Sequence, residues 1–153
     1  MRMSIIAIGR ARVGPESMLF KHYCERINSW SVNLVEKELR KKIDNTKIAT
    51  VESELLMKAI PKGAFIVALD EHGKELPSKG FTKLINERSI LGQKEIAFII
   101  GGANGLSPLI LEASNYVLSL GKMTWPHMLV RGLLIEQIYR AQQINIGHPY
   151  HRE

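Results

Sequence analysis

The stretch IAFIIGGANGL, Ile96–Leu106, indicates the fold class of this 153-residue chain. Its first five residues are all apolar, as expected of a strand that is covered on both faces, and they lead directly into the glycine-rich segment Gly101–Leu106. A second apolar run, Ala64–Leu69, ends at Asp70 and a predicted turn over residues 71–74. Continuously apolar strands are typical of a largely parallel sheet whose two faces carry helices.

The rest of the chain alternates apolar runs with helical patterns. Further strands are predicted at Met3–Ile8, Val32–Val35 and Tyr116–Leu120. Helices are predicted at Pro15–Asn28 (with Met18, Tyr23 and Ile27 facing inward), Thr50–Ile60, Phe81–Leu91, Pro108–Ala113 and Met128–Ile144. Because no repeat or linker interrupts this alternation, the sequence predicts one α/β domain over residues 1–153.

Three predicted strand ends are candidate ligand sites, because open parallel sheets bind ligands beyond the carboxyl ends of their strands. They are Leu69-Asp70, Gly101-Gly102 and Leu120–Trp125. They offer glycines, backbone amides and apolar side chains, which suit an adenine and a thioether-like arm better than a triphosphate. The glycines after Ile100 fit a tight turn and a ligand loop equally well. Gly9–Gly14 has phosphate-loop spacing, but lacks the lysine and hydroxyl that such a loop requires.

The chain ends on an unusual group of side chains, His148–Glu153 (HPYHRE). Chain ends are commonly frayed, whereas this one combines two histidines, a tyrosine and an arginine with rigid turn formers. The sequence therefore predicts that the end belongs to a functional site. His148 and His151 have few further candidate ligands nearby, so no metal site is expected.

The long helix before this end carries two pairs spaced by one turn. His127 and Arg131 are expected to share a face, and Glu136 with Arg140 has the spacing of a surface ion pair. Gly132 costs roughly 1 kcal/mol in a helix interior relative to alanine. A close approach by another backbone, from a second subunit or from the sheet, would explain this glycine.

The composition fits a basic protein of the cytoplasm. The net charge of +6 suits a polyanionic partner such as RNA, although a basic solvated surface explains the charge equally well. Arg40, Lys41 and Lys42 in the charged segment Glu36–Lys47 either contact RNA or, as is commoner, face solvent. One cysteine excludes an internal disulfide, and no apolar run has the length of a membrane span.

Several motifs resemble those of the ribosomal RNA large subunit methyltransferase H family, a branch of the SPOUT methyltransferases. They are FIIGGANGL (Phe98–Leu106), MTWPH (Met123–His127), EQIYRA (Glu136–Ala141) and GHPYHRE (Gly147–Glu153). The resemblance implies an α/β sheet flanked by helices whose C-terminal part forms a trefoil knot, a rare exception among folds. It also implies a homodimer, for which the helix carrying Gly132 is a candidate interface.

The resemblance further implies methylation of N3 of a pseudouridine in large-subunit (23S) ribosomal RNA, within the assembled ribosome and with S-adenosylmethionine as donor. The cofactor contacts that it implies are Leu69, Gly101, Leu120, Gly121, Lys122, Met123, Thr124 and Trp125. The residues expected to serve catalysis are His151, favoured as general base, His148, Tyr150, Arg152 and Arg131. The histidine pKa of about 6.5 suits removal of an imide proton near neutral pH.

Other functions stay open at this point. One is a tRNA-directed SPOUT methyltransferase. A second is a non-catalytic RNA-binding protein of ribosome assembly, which would bind RNA regardless of S-adenosylmethionine. A third is an α/β enzyme that binds NAD or ATP at the glycine loop.

Overall fold

The structure, a computed structural model, describes residues 1–40 and 42–151 and contains five strands in this part of the chain. The strands are β1 (Arg2–Ile8), β2 (Ser31–Lys37), β3 (Phe65–Glu75), β4 (Glu95–Ile100) and β5 (Tyr116–Ser119). The helices are α1 (Pro15–Cys24), α2 (Ile48–Ala59), α3 (Ser78–Ile90), α4 (Pro108–Ala113) and α5 (His127–Asn145), followed by a 3-10 helix, Pro149–His151. All strand pairs are parallel, in the order β2-β1-β4-β3-β5, so the expected parallel α/β sheet is confirmed.

The sheet is the middle layer of three. Side chains alternate across its faces, so Ile5 and Phe98 point to one side and their neighbours Ile6 and Ile99 to the other. The first face packs against α1, α3 and α5, and the second against α2 and α4. Burial on both faces explains why β1 and β4 consist almost entirely of apolar residues. Within the described residues, no helix combines the length and apolar character of a membrane span.

The predicted turn after Asp70 is wrong, because β3 continues to Glu75. Leu69 and Lys74 both align with Leu118 of β5, so the residues between them form an irregularity in the strand rather than its end. A Cβ atom on Gly73 would lie 2.7 Å from the backbone oxygen of Val117. Glycine therefore lets β3 approach β5 again after the irregularity, and no chain reversal is needed.

Three expectations about the helices also differ from the structure. Helix α1 ends at Cys24 rather than Asn28, and Met18 is 67% exposed instead of facing inward. A Cβ atom on Gly132 would lie 2.6 Å from Cδ2 of Leu19, so the close neighbour of this glycine is a side chain of α1 and not another backbone. Helix α5 is thereby packed closely between α1 and α3.

Candidate functional site

A cavity of about 890 Å³ lies at the carboxyl ends of β4 and β5 and beside the irregular part of β3, at residues 69–72. It brings together the three segments that the sequence indicates as candidate ligand sites. Its walls include seven of the eight predicted cofactor residues: Leu69, Gly101, Leu120, Gly121, Met123, Thr124 and Trp125. Lys122 is exposed and is not among the lining residues. Their roles in binding stay predictions.

The glycine loop after β4 is both a tight turn and a wall of this cavity. Gly102 and Gly105 form an isolated antiparallel bridge, and the Gly105 N–H donates to the Gly102 carbonyl over 3.0 Å. A Cβ atom on Gly101 would lie 2.7 Å from the backbone carbon and oxygen of Gly105. The loop therefore closes on itself tightly enough that only glycine fits at position 101.

The irregular part of β3 adds two acidic groups, of which the sequence predicted Asp70 at a strand end and Glu71 in the turn that follows. Asp70, Glu71 and His72 all line the cavity. Asp70 Oδ1 accepts a hydrogen bond from the His72 backbone N–H over 2.9 Å, and Thr124 donates its hydroxyl hydrogen to Glu71. The second bond ties β3 to the segment between β5 and α5, and the two carboxylates make this end of the cavity attractive to a cation.

His127 also lines the cavity, although the sequence indicated only its place in a motif and a helix face shared with Arg131. Burial lowers the pKa of His127, and the positive charge of Arg131 lowers it further, so the imidazole is neutral at neutral pH. Both side chains lie near Gly9, as their expected shared face implies. The MTWPH motif was the available signal for this residue.

Arg131 is buried, with 2% of its surface exposed. Its guanidinium donates hydrogen bonds to the carbonyls of Ile8 and Gly9 and to Glu36, over 2.7 to 2.8 Å. These contacts join α5 to the ends of β1 and β2, which is a positioning function. The predicted contact of Arg131 with phosphate or an oxyanion stays a prediction.

A second cavity, of about 640 Å³, adjoins the first. The two share a common wall made of Leu118, Leu120, Gly121 and Trp125. The far side of the second cavity consists of polar and aromatic side chains from α1, α5 and the chain end: Tyr23, Glu136, Arg140 and Tyr150. Two ligands placed in these cavities would thus meet at the segment between β5 and α5.

The chain end is held against α5 through Tyr150. Its hydroxyl lies 3.1 Å from Glu136 Oε1 and 3.3 Å from the Tyr23 hydroxyl, and its ring stands edge-on to Tyr139 at 5.0 Å. Burial, followed by the contacts with Tyr23 and Glu136, raises the pKa of Tyr150, so the phenol stays neutral. The Glu136–Arg140 pair is partly buried here rather than a plain surface pair, because it forms the platform for this tyrosine.

His148 is oriented by the same turn. Its Nδ1 atom accepts a hydrogen bond from the Tyr150 backbone N–H over 3.1 Å, which leaves the neutral ring with its proton on Nε2. The side chain of His151 and all of Arg152 lie outside the described residues. The identity of the general base therefore stays a prediction.

Comparisons with known proteins agree with the motifs. A family model described as predicted SPOUT methyltransferase matches residues 1–151. Proteins named ribosomal RNA large subunit methyltransferase H from Rhodospirillum centenum and Paramagnetospirillum magneticum are 47% and 44% identical, each over 99% of both chains. This chain belongs to that family of SPOUT methyltransferases. The family resemblance is thereby confirmed.

A solved structure supports the fold of this SPOUT methyltransferase. A probable methylase family protein from Haemophilus influenzae Rd KW20 superposes with a TM-score of 0.58 at 10% identity. The match covers 99% of this chain and 70% of the other. At this identity the likeness concerns the fold alone.

Beneath the glycine loop of this SPOUT methyltransferase lies a carboxyl group that the sequence analysis did not single out. Glu52 on α2 is 8% exposed, and its Oε2 atom has no hydrogen-bond partner among the described residues. A Cβ atom on Gly102 would lie 3.0 Å from this oxygen, so the glycine leaves the space that the carboxyl occupies. Burial raises the pKa of Glu52.

Glu52→Gln is expected to change how stability depends on pH. Between the ordinary carboxyl pKa and the raised pKa of Glu52, the folded chain keeps the proton that the unfolded chain has released. The contribution of this group to the free energy of unfolding is therefore fully present at or below the ordinary carboxyl pKa. That contribution is lost as pH rises through the raised value. We expect Glu52→Gln to be more stable than the unsubstituted protein at pH 8 by about 1 kcal/mol and similar to it at pH 4.5. Urea unfolding at both pH values measures this difference. Glu54→Gln, on the exposed side of the same helix, is the control; equal pH dependence in all three proteins would contradict the prediction.

Proposed function

We propose that this protein transfers a methyl group from S-adenosylmethionine to N3 of a pseudouridine in 23S ribosomal RNA of the assembled ribosome. The observation that carries this proposal is the pair of cavities with a common wall. One cavity offers glycines and apolar side chains at strand ends, and the other offers aromatic and polar groups. The relatives named ribosomal RNA large subunit methyltransferase H support an RNA substrate.

The first cavity fits S-adenosylmethionine. Its volume of about 890 Å³ lies in the range of small-molecule sites. Leu69, Leu118 and Leu120 supply apolar walls for the adenine and the side arm, while Asp70 and Glu71 favour the positive charges of an ammonium and a sulfonium. When bound, S-adenosylmethionine supplies an electrophilic methyl group for in-line displacement.

The chain's own residues have to align the base and remove one proton. Orientation alone contributes several kcal/mol to such a reaction. Tyr150, fixed by Glu136 and Tyr23, presents a neutral aromatic surface and hydroxyl in the cavity that would receive the base. We propose that a histidine of the chain end acts as the general base that removes the imide proton from N3 of the pseudouridine. His151 is preferred because Nδ1 of His148 already accepts a hydrogen bond from the Tyr150 backbone N–H. Arg152 would supply a positive charge for the developing oxyanion or a phosphate.

Three further features belong to the same proposal on the strength of the family. The C-terminal part of the chain would form a trefoil knot, and two copies would form a homodimer that acts in the cytoplasm, where ribosomes are assembled. The return of α5 from the sheet edge at β5 to a position between α1 and α3 is consistent with such a path. Lys122, outside the cavity wall, is retained as a cofactor contact only as part of this proposal.

Radiolabelled methyl transfer tests the proposed function. Assembled ribosomes, free large subunits and bulk tRNA are offered in parallel with labelled S-adenosylmethionine. Label in large-subunit RNA of assembled ribosomes, released by nuclease digestion as N3-methylpseudouridine, is the expected result. Label in tRNA would overturn the substrate. Absence of both label and cofactor binding would favour a non-catalytic RNA-binding protein.

A further inference from the structure

Most of the net positive charge of this protein comes from two short segments. Residues 9–14 and 37–47 together carry seven basic and two acidic residues, a net charge of +5. The whole chain carries 21 basic and 15 acidic residues, so the remaining 136 residues contribute 14 basic and 13 acidic residues, or +1. We name the described residues of these two segments, 9–14, 37–40 and 42–47, the basic edge.

The fold places the two halves of the basic edge side by side. They follow β1 and β2, which are parallel neighbours with Ile8 aligned to Lys37. The Gly9 N–H donates to the Lys37 carbonyl over 2.7 Å, and the Ala11 N–H donates to Glu36 Oε1 over 2.7 Å. The two segments therefore begin side by side, although more than twenty residues separate them in sequence.

The basic edge is anchored, and its cations are free to bind. Arg131 donates hydrogen bonds to the carbonyls of Ile8 and Gly9 and shares Glu36 with the Ala11 N–H, so the Glu36 carboxylate is already engaged. Four cations of the basic edge are exposed, and within the described residues none of the four takes part in an ion pair: Arg10, Arg12, Arg40 and Lys42. Glu38 and Asp44 are the acidic residues of these segments.

The basic edge also borders the proposed cofactor cavity. A Cβ atom on Gly9 would lie 3.3 Å from Nε2 of His127, a residue of the cavity wall. Strand β1 is next to β4, whose end carries the glycine loop of the cavity. A polyanion bound along the ends of β2 and β1 would consequently reach the cavity mouth.

We infer that the basic edge binds the phosphate backbone of the substrate RNA and so positions the target nucleotide, an inference that rests on the proposed function. Cationic side chains that contact phosphates release counterions, and this release makes binding depend steeply on salt. Exposed arginines on an anchored loop suit this function because a guanidinium makes bidentate contacts with phosphate. The basic edge would bind the RNA through the charge of its phosphates, and the second cavity would recognise the base.

The test is a charge-matched pair of triple variants in the full chain. Arg10→Gln, Arg12→Gln and Arg40→Gln together remove three charges from the basic edge. Lys58→Gln, Lys62→Gln and Lys94→Gln remove three exposed cations from the opposite end of the sheet. Binding to assembled ribosomes is measured between 50 and 300 mM KCl, with S-adenosylmethionine affinity by calorimetry and melting temperature as checks on the fold.

We expect the basic-edge variant to bind ribosomes at least about tenfold more weakly at low salt. The slope of the logarithm of affinity against the logarithm of salt concentration should fall by about two to three. Its affinity for S-adenosylmethionine and its melting temperature should match those of the control variant. The control variant should bind and methylate ribosomes like the unsubstituted protein.

Equal ribosome affinity and salt slope in the two variants would overturn the inference. So would unchanged ribosome binding combined with selective loss of binding to phosphatidylglycerol vesicles, which would assign the surface to a membrane. Failure of the proposed function is seen in a different measurement, because the unsubstituted protein would then transfer no methyl group to ribosomes. The comparison of ribosome binding between the two variants would still test the basic edge.

Discussion

A chain that stops after Gly147 is expected to fold and to bind S-adenosylmethionine but to transfer methyl groups at least about a hundredfold more slowly. The deletion removes His148, Tyr150 and His151, which carry the proposed proton acceptor and the aromatic surface for the base. None of the described residues after Gly147 lines the cofactor cavity, so affinity for the cofactor should be unchanged. Loss of the Tyr150 ring contacts should reduce stability by about 1 kcal/mol. Single-turnover methyl transfer to ribosomes, calorimetry and urea unfolding measure the three quantities.

A full-length variant separates chemistry from docking of the chain end. Tyr150→Phe retains the ring on Tyr139 but removes the hydroxyl beside Glu136, and we expect a smaller loss of rate, about tenfold. Full activity of the truncated chain would disprove the role of the chain end. Loss of cofactor binding together with the activity would instead make the segment a structural part of the fold.

The fold class was predictable because burial on both sheet faces leaves a simple record in the sequence. Ile96–Ile100 and Met3–Ile8 are continuously apolar, and the structure has them as adjacent central strands. The break after Asp70 misled the prediction, because Glu71–Lys74 has the composition of a turn although Gly73 lets the strand resume beside β5. Local composition does not report pairing with a strand that comes some forty residues later.

The candidate site was predictable only in part. Strand ends in a parallel sheet converge, so Gly101 and Leu120 were indicated by topology alone. Leu69 was indicated as well, because the irregularity that follows it in β3 resembles a strand end in sequence. The motifs gave no sign that Glu136 supports Tyr150, or that Arg131 is buried with its bonds directed to the ends of β1 and β2. Such contacts depend on how helix α5 packs, which spacing within the helix does not determine.

Gly101→Ala is expected to remove most of the cofactor affinity. The new Cβ atom would lie 2.7 Å from the backbone carbon and oxygen of Gly105 and 3.1 Å from the backbone nitrogen of Leu106. These are backbone atoms of a closed turn, so the loop has to open and the cavity wall has to move. Displacement of binding groups by about 1 Å costs on the order of a hundredfold, and overpacking costs roughly 1–3 kcal/mol of stability.

Calorimetry with S-adenosylmethionine, together with urea unfolding, tests this expectation against Gly14→Ala. Gly14 has φ 175°, an extended conformation that alanine adopts freely, and its Cβ atom would meet only Glu16 Oε2 at 3.7 Å. The control should therefore bind the cofactor like the unsubstituted protein. Binding by Gly101→Ala within threefold of the control would show that the glycine loop is a turn without a part in holding the cofactor. A hundredfold weaker affinity in a chain that still unfolds cooperatively would place the cofactor against the loop, because the substitution changes no other wall of the cavity.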